Sequence, residues 1–364
     1  MKKMLAMILV LAMAVSLCAC AGSGGSGSSG NSGSSSGSGS STGGDSAATE
    51  DFTPVTWKFG NQHNSTQIAT IIDKEIAEEI EAATEGRVQI DLYTDSALGD
   101  YTSVFDELML GTVQMANITG VDTYGGLLNA AMIPYLLTDW EQCNVAYRPD
   151  GVIFGAVSEL LEGLGVKLMG FVPEDFVGIG TQKELTNANV PGAEKGALIR
   201  VPMTDVFALS TMDLGFRTSS IAYSDSYAAL QTGVVDGMDG NGALATCTAF
   251  GDVTKYFYNY QHLCEATMIL ISASAWNELL PQDQEAITKI IYDKCTEIPG
   301  RAQALEEEYM AKMTADYGIE IVNFTPEELE AFAASCREKV WPQLAEAYPD
   351  GFLDEVLADI QGNM

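Results

Sequence analysis

Basic residues are scarce in this chain of 364 residues: 18 lysines and arginines stand against 50 aspartates and glutamates, giving a formal net charge of -32. A chain this acidic repels phosphate groups, and no basic stripe offsets the repulsion, so we exclude a nucleic-acid partner. Hydrophobic residues nevertheless make up 46% of the sequence, which excludes a chain that is disordered throughout. The composition predicts an acidic globular protein of one large or two medium domains.

Histidine is almost absent, with His63 and His262 as the only two. The sequence also lacks the GxSxG, HExxH, P-loop and EF-hand patterns, so no catalytic residue, metal site or cofactor is predicted. Carboxylates are so abundant that no pair of them points to an acid and a base. A lipid-anchored α/β enzyme stays open as an alternative that no motif supports.

Cysteine provides no framework either. Five cysteines follow residue 51, at positions 143, 247, 264, 295 and 336, without a CxxC pair or a Cys/His cluster. Neither a zinc site nor a complete set of disulfides is predicted. We expect most of these residues to be small buried apolar groups, and the spacing selects no pair for a disulfide.

The amino terminus carries an export signal. Two lysines follow Met1, and the apolar segment 4–16 is too short to span a bilayer as a mature helix. The sequence Leu17-Cys18-Ala19-Cys20 then resembles the bacterial lipobox, in which cleavage leaves the cysteine as the first residue with diacylglycerol on its sulfur. We predict a signal peptide over 1–19 and a lipid anchor at Cys20; an ordinary signal peptide with an incidental cysteine is the alternative.

Residues 20–51 are predicted to be a linker. Glycine and serine make up nearly all of 21–44, and such a chain buries nothing. About two dozen residues of this kind reach roughly 25–30 Å as a random coil. The remaining segment, 52–364, is predicted to be the folded domain.

Strands and helices alternate through that domain. Isoleucines at 68, 72, 76 and 80 follow the helical period, Asn64 is predicted as the N-cap, and short alternating runs predict strands on either side. The opening unit is therefore predicted as strand 55–59, a helix from the Asn64 N-cap to its stop at Gly86, strand 88–92, helix 101–110 and strand 113–117.

A second α/β unit and a helical tail follow. The predicted elements are helix 139–161, strand 166–171, strand 198–201, helix 206–214, strand 218–223, helix 227–231, strand 234–236, and helix 281–317 broken at Pro299-Gly300. A capping box at Thr325 starts another helix. We predict an α/β fold of the periplasmic-binding-protein type, with mainly parallel sheets in two lobes, a cleft between them and long C-terminal helices bracing both.

Arg200 is the most informative basic residue. It stands inside the apolar strand 198–201, directly before Pro202, whereas the other five arginines occupy polar turns or helices. A guanidinium in such a strand is partly desolvated and needs an anionic partner, preferably through two parallel hydrogen bonds. The residues alone leave two partners open: an internal Asp or Glu, or the carboxylate of a ligand.

The same region resembles a known family. The runs that carry the resemblance are Leu198-Ile199-Arg200-Val201-Pro202, Leu214-Gly215, and Tyr227-Ala228-Ala229-Leu230-Gln231-Thr232-Gly233-Val234-Val235-Asp236-Gly237, with further matches at 58–60, 98–100, 110–113 and 133–136. In these runs the chain is similar to the DctP-type solute-binding proteins of tripartite ATP-independent periplasmic (TRAP) transporters. The resemblance covers nearly all of the folded part.

The resemblance implies an extracytoplasmic receptor that closes on an organic acid and delivers it to TRAP membrane subunits. It implies that Arg200 pairs with the ligand carboxylate and that Tyr223 packs against the ligand. It also places Gln62 and Thr119 where polar contacts to the ligand occur. A core role for Tyr223 and ordinary loop roles for Gln62 and Thr119 are the alternatives.

Two departures from the family pattern concern the ligand. A second arginine that many relatives carry in a Gly-x-Arg context is absent from Gly178-Ile179-Gly180, and the usual asparagine contact is replaced by Gly240, with Asn241 one position late. These changes imply a ligand with one carboxylate and a less polar or bulkier remainder, and Asn241 stays a candidate contact. A binding lipoprotein of an ABC importer is the competing functional hypothesis.

Overall fold

The computed structural model describes residues 53–364. The predicted signal peptide 1–19, the anchor Cys20 and the linker 20–51 therefore lie outside the described residues. Between residues 53 and 364, no helix has both the length and the apolar character needed to cross a bilayer.

Eleven strands and twelve α-helices make up the described part of the chain. The strands are β1 (Val55–Asn61), β2 (Val88–Tyr93), β3 (Met115–Ile118), β4 (Val166–Phe176), β5 (Gly178–Thr181), β6 (Leu198–Val201), β7 (Arg217–Ser220), β8 (Gly237–Asn241), β9 (Tyr256–Asn259), β10 (Cys264–Ser272) and β11 (Glu320–Asn323). The helices are α1 (Ile68–Ala83), α2 (Tyr101–Leu110), α3 (Trp140–Ala146), α4 (Val152–Gly163), α5 (Asp205–Leu214), α6 (Tyr223–Gln231), α7 (Ala243–Phe250), α8 (Ala273–Asn277), α9 (Pro281–Tyr317), α10 (Pro326–Lys339), α11 (Trp341–Leu344) and α12 (Phe352–Asn363).

Two sheets define two lobes, as predicted. The first has the order β2-β1-β3-β10-β4 and the second β11-β9-β5-β8-β6-β7. Strands β1, β2 and β3 pair in parallel, but β10 runs antiparallel to both β3 and β4, and β5 runs antiparallel to β8 and β9. Both sheets are thus mixed rather than mainly parallel, with five parallel and four antiparallel pairings. The antiparallel strand β10 is buried on both faces, and its apolar run 268–271 carries no alternation that would reveal it.

Two of the chain's crossings between the sheets lie in adjacent segments, and a third runs through α9 to β11. Strand β4 of the first sheet ends at Phe176 and β5 of the second begins at Gly178, whereas β9 of the second sheet ends at Asn259 and β10 of the first begins at Cys264. Because β4 and β10 pair through their ends, with Asp175 opposite Glu265, the two crossings lie side by side. We call these two segments the hinge strands.

The first helix shows why its sequence folds as it does. All four isoleucines of the i+4 series in α1 are buried, and they cover the face of the first sheet. The predicted cap was wrong by one turn: Gln67 precedes the helix, and Asn64 Oδ1 instead accepts from Thr66 N at 2.9 Å in the preceding turn. A hydrogen bond from the Asn side chain to a nearby backbone N–H stabilises a turn, and this turn competes with the start of a helix.

Three further predictions of element bounds were wrong. The helix predicted over 139–161 is interrupted after Ala146 and resumes at Val152, because Pro149 cannot continue a helix and Gly151 follows it. The strand predicted over 234–236 forms three residues later as β8. The strand predicted over 218–223 ends at Ser220, so Tyr223 opens helix α6.

Helix α9 runs for 37 residues without the predicted break at Pro299. Ile291, Ile298, Pro299 and Ala302 are buried along it, so packing offsets the backbone hydrogen bond that proline removes. The helix contacts α1 and β4 of the first lobe and α7 and β11 of the second. It braces both lobes, and the capping box at Thr325 starts α10 as predicted.

The five cysteines of the described residues are free thiols, four of them buried. Cys143 Sγ donates a hydrogen bond to Cys264 Sγ at 3.5 Å, and the two residues form no disulfide.

Candidate functional site

Arg200 lies on β6, one strand in from the edge of the second sheet, where β6 pairs with β7 and β8. The side chain is 1% exposed. Its Nε donates to Ile221 O at 2.9 Å and its Nη1 to Asp239 O at 3.1 Å. These two carbonyl bonds fix the plane of the guanidinium.

The internal acid that the sequence left open as a partner of Arg200 does not form an ion pair with it. The Asp239 carboxylate is already held by His262 Nε2 at 3.1 Å, by Gly240 N at 2.6 Å and by Thr211 Oγ1, so it offers Arg200 only its carbonyl oxygen. Within residues 53–364, Nη2 of Arg200 has no hydrogen-bond acceptor and the guanidinium no ion-pair partner. A buried cation with a free N–H edge is a costly arrangement unless an anion joins it.

Tyr223 covers the guanidinium. Arg200 Cζ lies 5.8 Å from the centre of the Tyr223 ring, which is within the range of a cation–π contact. The Tyr223 hydroxyl accepts from Gln67 Nε2 of the first lobe at 3.1 Å, and the ring meets that of His63 edge-on at 5.9 Å. The predicted aromatic residue therefore stands between the two lobes, beside Arg200.

Gln62 and Thr119 lie next to each other, directly after β1 and β3. Gln62 Nε2 donates to Thr119 Oγ1 at 3.0 Å, and Thr119 N donates to Gln62 Oε1 at 3.3 Å. The parallel pairing of β1 with β3 produces this contact, because the carboxyl ends of parallel strands meet at one edge. His63 lies 3.3 Å from Gln62 and joins this pair to Tyr223.

Asn241 is separate from this group. It ends β8, is buried, and directs its amide nitrogen to Met238 Sδ at 3.3 Å. Four of the five predicted ligand residues thus form one connected set, Gln62, Thr119, Tyr223 and Arg200 with His63 between them, and Asn241 stays a prediction without a contact to it.

Gly240 accounts for the missing asparagine. Its φ is +92°, and an added Cβ would lie 2.8 Å from Pro202 Cγ and 3.3 Å from Arg200 Nη1. A side chain at this position would press on Pro202 and on the guanidinium itself. The glycine lets the backbone of β8 approach Arg200 closely enough for the Asp239 carbonyl bond.

We expect Gly240→Ala to weaken ligand binding by about tenfold or more and to lower the free energy of unfolding by about 1–2 kcal/mol, since it adds both backbone strain and a clash beside Arg200. Calorimetric titration and urea unfolding measure the two effects. Gly300→Ala is the matched control: nothing lies within 4 Å of its added Cβ in α9, and it should leave binding unchanged. Wild-type affinity in Gly240→Ala would contradict this account of the glycine.

The sequence analysis missed three carboxylates at the hinge strands. Glu174 and Asp175 end β4, Glu265 begins β10, and all three are less than one-tenth exposed. Glu174 Oε1 accepts from Thr267 Oγ1 at 3.1 Å, and Asp175 Oδ2 accepts from the backbone of Leu244 at the start of α7 at 3.2 Å. Like Arg200, they are charged residues within apolar strands. The abundance of carboxylates in the sequence hides this pattern.

Burial sets the protonation of these groups. Desolvation raises the pKa of Glu265 to about 8, although the positive charge of Arg200 opposes the shift, and it raises the pKa of Glu174 and of Asp175 well above the usual range. Burial lowers the pKa of His63 to about 3. The histidine is therefore neutral at pH 7, and its Nδ1, 3.5 Å from Glu174 Oε1, supplies no compensating charge.

A narrow gap separates the lobes beside these carboxylates. It holds about 10 Å³ and is lined by Gln67, Ile68, Glu174, Asp175, Gly242, Leu244, Ala245 and Glu265. Only glycine fits at position 242, because the carboxyl group of Asp175 occupies the space of a side chain. Depressions of about 170 and 740 Å³ elsewhere on the surface contain none of the predicted ligand residues, so we place the site at the gap and at Arg200.

Comparison with known proteins identifies the family of this chain. Residues 59–347 match the DctP family, described as bacterial extracellular solute-binding protein, family 7. A solute-binding protein of Roseobacter denitrificans is 25% identical over 66% of this chain and 73% of its own, and the sialic acid-binding periplasmic protein of Vibrio cholerae is 25% identical over 79% and 88%.

Solved structures of solute-binding proteins share the fold of this chain. A TRAP periplasmic solute-binding protein of Haemophilus influenzae, solved with bound L-gulonate, superposes with a TM-score of 0.76 at 20% identity, over 85% of this chain and 99% of that one. The two-lobed architecture with a bracing helix is thereby confirmed. The chain belongs to the DctP family of bacterial extracellular solute-binding proteins, the non-enzymatic receptors of TRAP transporters.

Proposed function

We propose that this protein captures a small organic acid between its lobes by binding the ligand carboxylate to Arg200, and that it delivers the acid to TRAP membrane subunits. The observation that carries the proposal is the free Nη2 edge of Arg200, a buried guanidinium without an ion-pair partner among the described residues. A carboxylate there would complete a charge-assisted pair in a site of low polarity, where such pairs are strongest.

Closure of the lobes would couple binding to delivery. In the present conformation the lobes are joined by the Gln67–Tyr223 hydrogen bond and by the bond from Asp205 N to Asp122 Oδ2 at 2.6 Å. A ligand stabilises this closed form only through its higher affinity for it. Gln62 and Thr119 of the first lobe and Arg200 and Tyr223 of the second would contact the ligand from opposite sides, and Asn241 is retained as a further candidate contact.

The amino-terminal segment supplies the proposed location. Removal of residues 1–19 would leave Cys20 as a lipidated first residue, and residues 20–51 would tether the solute-binding domain, 52–364, to the cell membrane. One acyl chain holds a protein only weakly, whereas two give a stable anchor. A mass increase on the amino-terminal peptide that is lost in Cys20→Ala would support the anchor.

The functional proposal is tested by a thermal-shift screen of the purified full chain against organic acids, sugar acids and amino-acid derivatives, followed by calorimetric titration of the hits. We expect at least one carboxylate to bind near micromolar affinity, about -8 kcal/mol. At a hundred times its dissociation constant such a ligand adds about 2.7 kcal/mol to the free energy of unfolding. The amide of the same ligand should produce no shift.

A screen in which neutral sugars or peptides bind and no carboxylate does would refute the proposal. Such a result would favour the ABC-importer hypothesis, which requires neither Arg200 nor the Gln231-to-Gly237 run. Genes for one large and one small TRAP membrane subunit beside this gene would support the transporter assignment independently.

A further inference from the structure

Three carboxyl groups face one another at the hinge, and the positive charge of Arg200 acts on one of them, Glu265, without forming an ion pair with it. Asp175 and Glu265 are directly opposed across β4 and β10, and Glu174 lines the same gap. Like charges opposed in this way destabilise a sheet. Among residues 53–364, no lysine or arginine forms an ion pair with any of the three, and the neutral His63 is the one basic group near Glu174.

Unsatisfied acceptors line that gap as well. Asp175 Oδ1 has no hydrogen-bond donor, and neither has Gln67 Oε1, on a side chain that is 1% exposed. Gln67 lines the same gap from the turn before α1 and carries no charge. Two buried oxygens on different elements that both lack a hydrogen-bond partner indicate that the partner comes from outside the chain.

The size and chemistry of the gap narrow the choice of donor. Its volume of about 10 Å³ is roughly the room that one water molecule needs, and an ammonium group is of similar size. In the part of the chain that the structure describes, no group of three or more His, Cys, Asp or Glu side chains is arranged to hold a metal ion. A small organic cation with N–H groups satisfies both the acceptors and the charge.

We propose that the ligand of this protein is a zwitterion, whose carboxylate binds Arg200 and whose ammonium or amidinium group binds Asp175, Glu265 and Gln67 in the gap between the lobes. The inference rests on the proposed carboxylate site at Arg200 and adds the second pole of the ligand. It excludes the hydroxyl-rich sugar acids and dicarboxylates, which would bring either no cation or a further negative charge to three buried carboxylates. It also disfavours quaternary ammonium compounds, because they have no N–H to give to the two free acceptors.

The test compares ligands that differ only at this second pole. The purified full chain is titrated with L-alanine and L-lactate, L-glutamate and 2-hydroxyglutarate, 4-aminobutyrate and 4-hydroxybutyrate, proline, the cyclic amidine ectoine, trimethylglycine, succinate and D-glucuronate. We expect the amine or amidine compounds that bind to do so at least ~100-fold more tightly than their hydroxyl counterparts, since only the former can form an ion pair with the buried carboxyl groups. Tighter binding of a hydroxy acid, a sugar acid or succinate would overturn the inference.

Variants separate the two poles. Asp175→Asn and Glu265→Gln should each weaken binding of the amine ligand by ~30-fold or more. The control is Asp213→Asn, which removes one negative charge from a largely buried carboxylate of α5 that accepts from Ser335 outside the gap. It should leave the affinity for the amine ligand unchanged. If binding depends on Arg200 but is the same in Asp175→Asn and Glu265→Gln as in the wild type, the zwitterion inference fails while the proposed function stands. If no carboxylate of any kind binds, both fail.

Proton release gives a readout on the wild-type chain that does not depend on how the variants fold. Glu265 faces Glu174 and Asp175 from β4, Arg200 from β6 and Asp239 from β8. Burial holds its pKa at about 8, so a cation that binds below pH 8 must displace a proton. Calorimetry in buffers of different ionisation enthalpy should show release of a proton on binding at pH 7 and an affinity that rises from pH 6 to pH 8. Binding without proton release would contradict the inference.

Discussion

Arg200→Ala should weaken binding of the carboxylate ligand by ~100-fold or more. The guanidinium is buried, its plane is fixed by Ile221 O and Asp239 O, and its Nη2 edge is free. Loss of one partner of a buried, hydrogen-bonded charge pair costs about 2–5 kcal/mol of binding free energy. Calorimetric titration with any ligand found in the screen measures the change directly.

Two variants control this experiment. Arg200→Lys keeps the positive charge but loses the planar fork, so we expect it to recover only part of the affinity. Arg217→Ala removes an exposed arginine from the neighbouring strand β7 and should bind as the wild type does. We expect the fold of Arg200→Ala to persist, because the loss of two hydrogen bonds is offset by removal of a desolvated charge. Unchanged affinity in Arg200→Ala would overturn the assignment of the site.

The unliganded protein should become less stable as the pH rises from 6.5 to 9. Burial raises the pKa of Asp73 and of Glu265 to about 8, and it raises the pKa of Glu174 and Asp175 as well. A carboxyl whose pKa is raised on folding contributes its stability fully below its unfolded pKa and loses it as the pH passes through the folded pKa. For one group shifted from near 4.5 to about 8, the loss between pH 6.5 and pH 9 is on the order of 2 kcal/mol.

His63 has the opposite effect on the pH dependence of stability, and it defines the lower pH limit of the predicted trend. Burial lowers its pKa from 6.5 to about 3, so its unfolded form binds a proton first and stability falls as the pH drops below 6.5. Urea unfolding at pH 6.5, 7, 8 and 9 measures the trend on the alkaline side. Glu265→Gln, which cannot ionise, should flatten the slope, and the exposed control Glu278→Gln should not. Stability that rises between pH 6.5 and pH 9 would refute the protonation states described above.

The parts of the fold that could be predicted are those whose signal is local. The isoleucine period of α1 and the capping box of Thr325 identified their helices because each depends on residues within one or two turns. The continuity of α9 through Pro299 could not be predicted, since it depends on packing against both lobes. Strand β10 was missed because a strand buried on both faces has no alternation.

The candidate site likewise has residues that the sequence reveals and residues that it does not. Arg200 could be found because arginine is rare here and a charged residue within an apolar strand is conspicuous. Asp175 and Glu265 carry the same signal, but they come together only through the register of β4 with β10, which sequence does not reveal. Gly240 was recognised as a departure from the family pattern, whereas its reason, the close approach of β8 to Arg200, is visible only in three dimensions.

A crystal structure of the protein with a ligand from the screen tests the central claim most directly. The account predicts a ligand carboxylate oxygen at ~3 Å from Nη2 of Arg200, with the carbonyl bonds to Ile221 and Asp239 retained. A ligand whose carboxylate binds elsewhere, while Arg200 keeps only those two carbonyl partners, would contradict it.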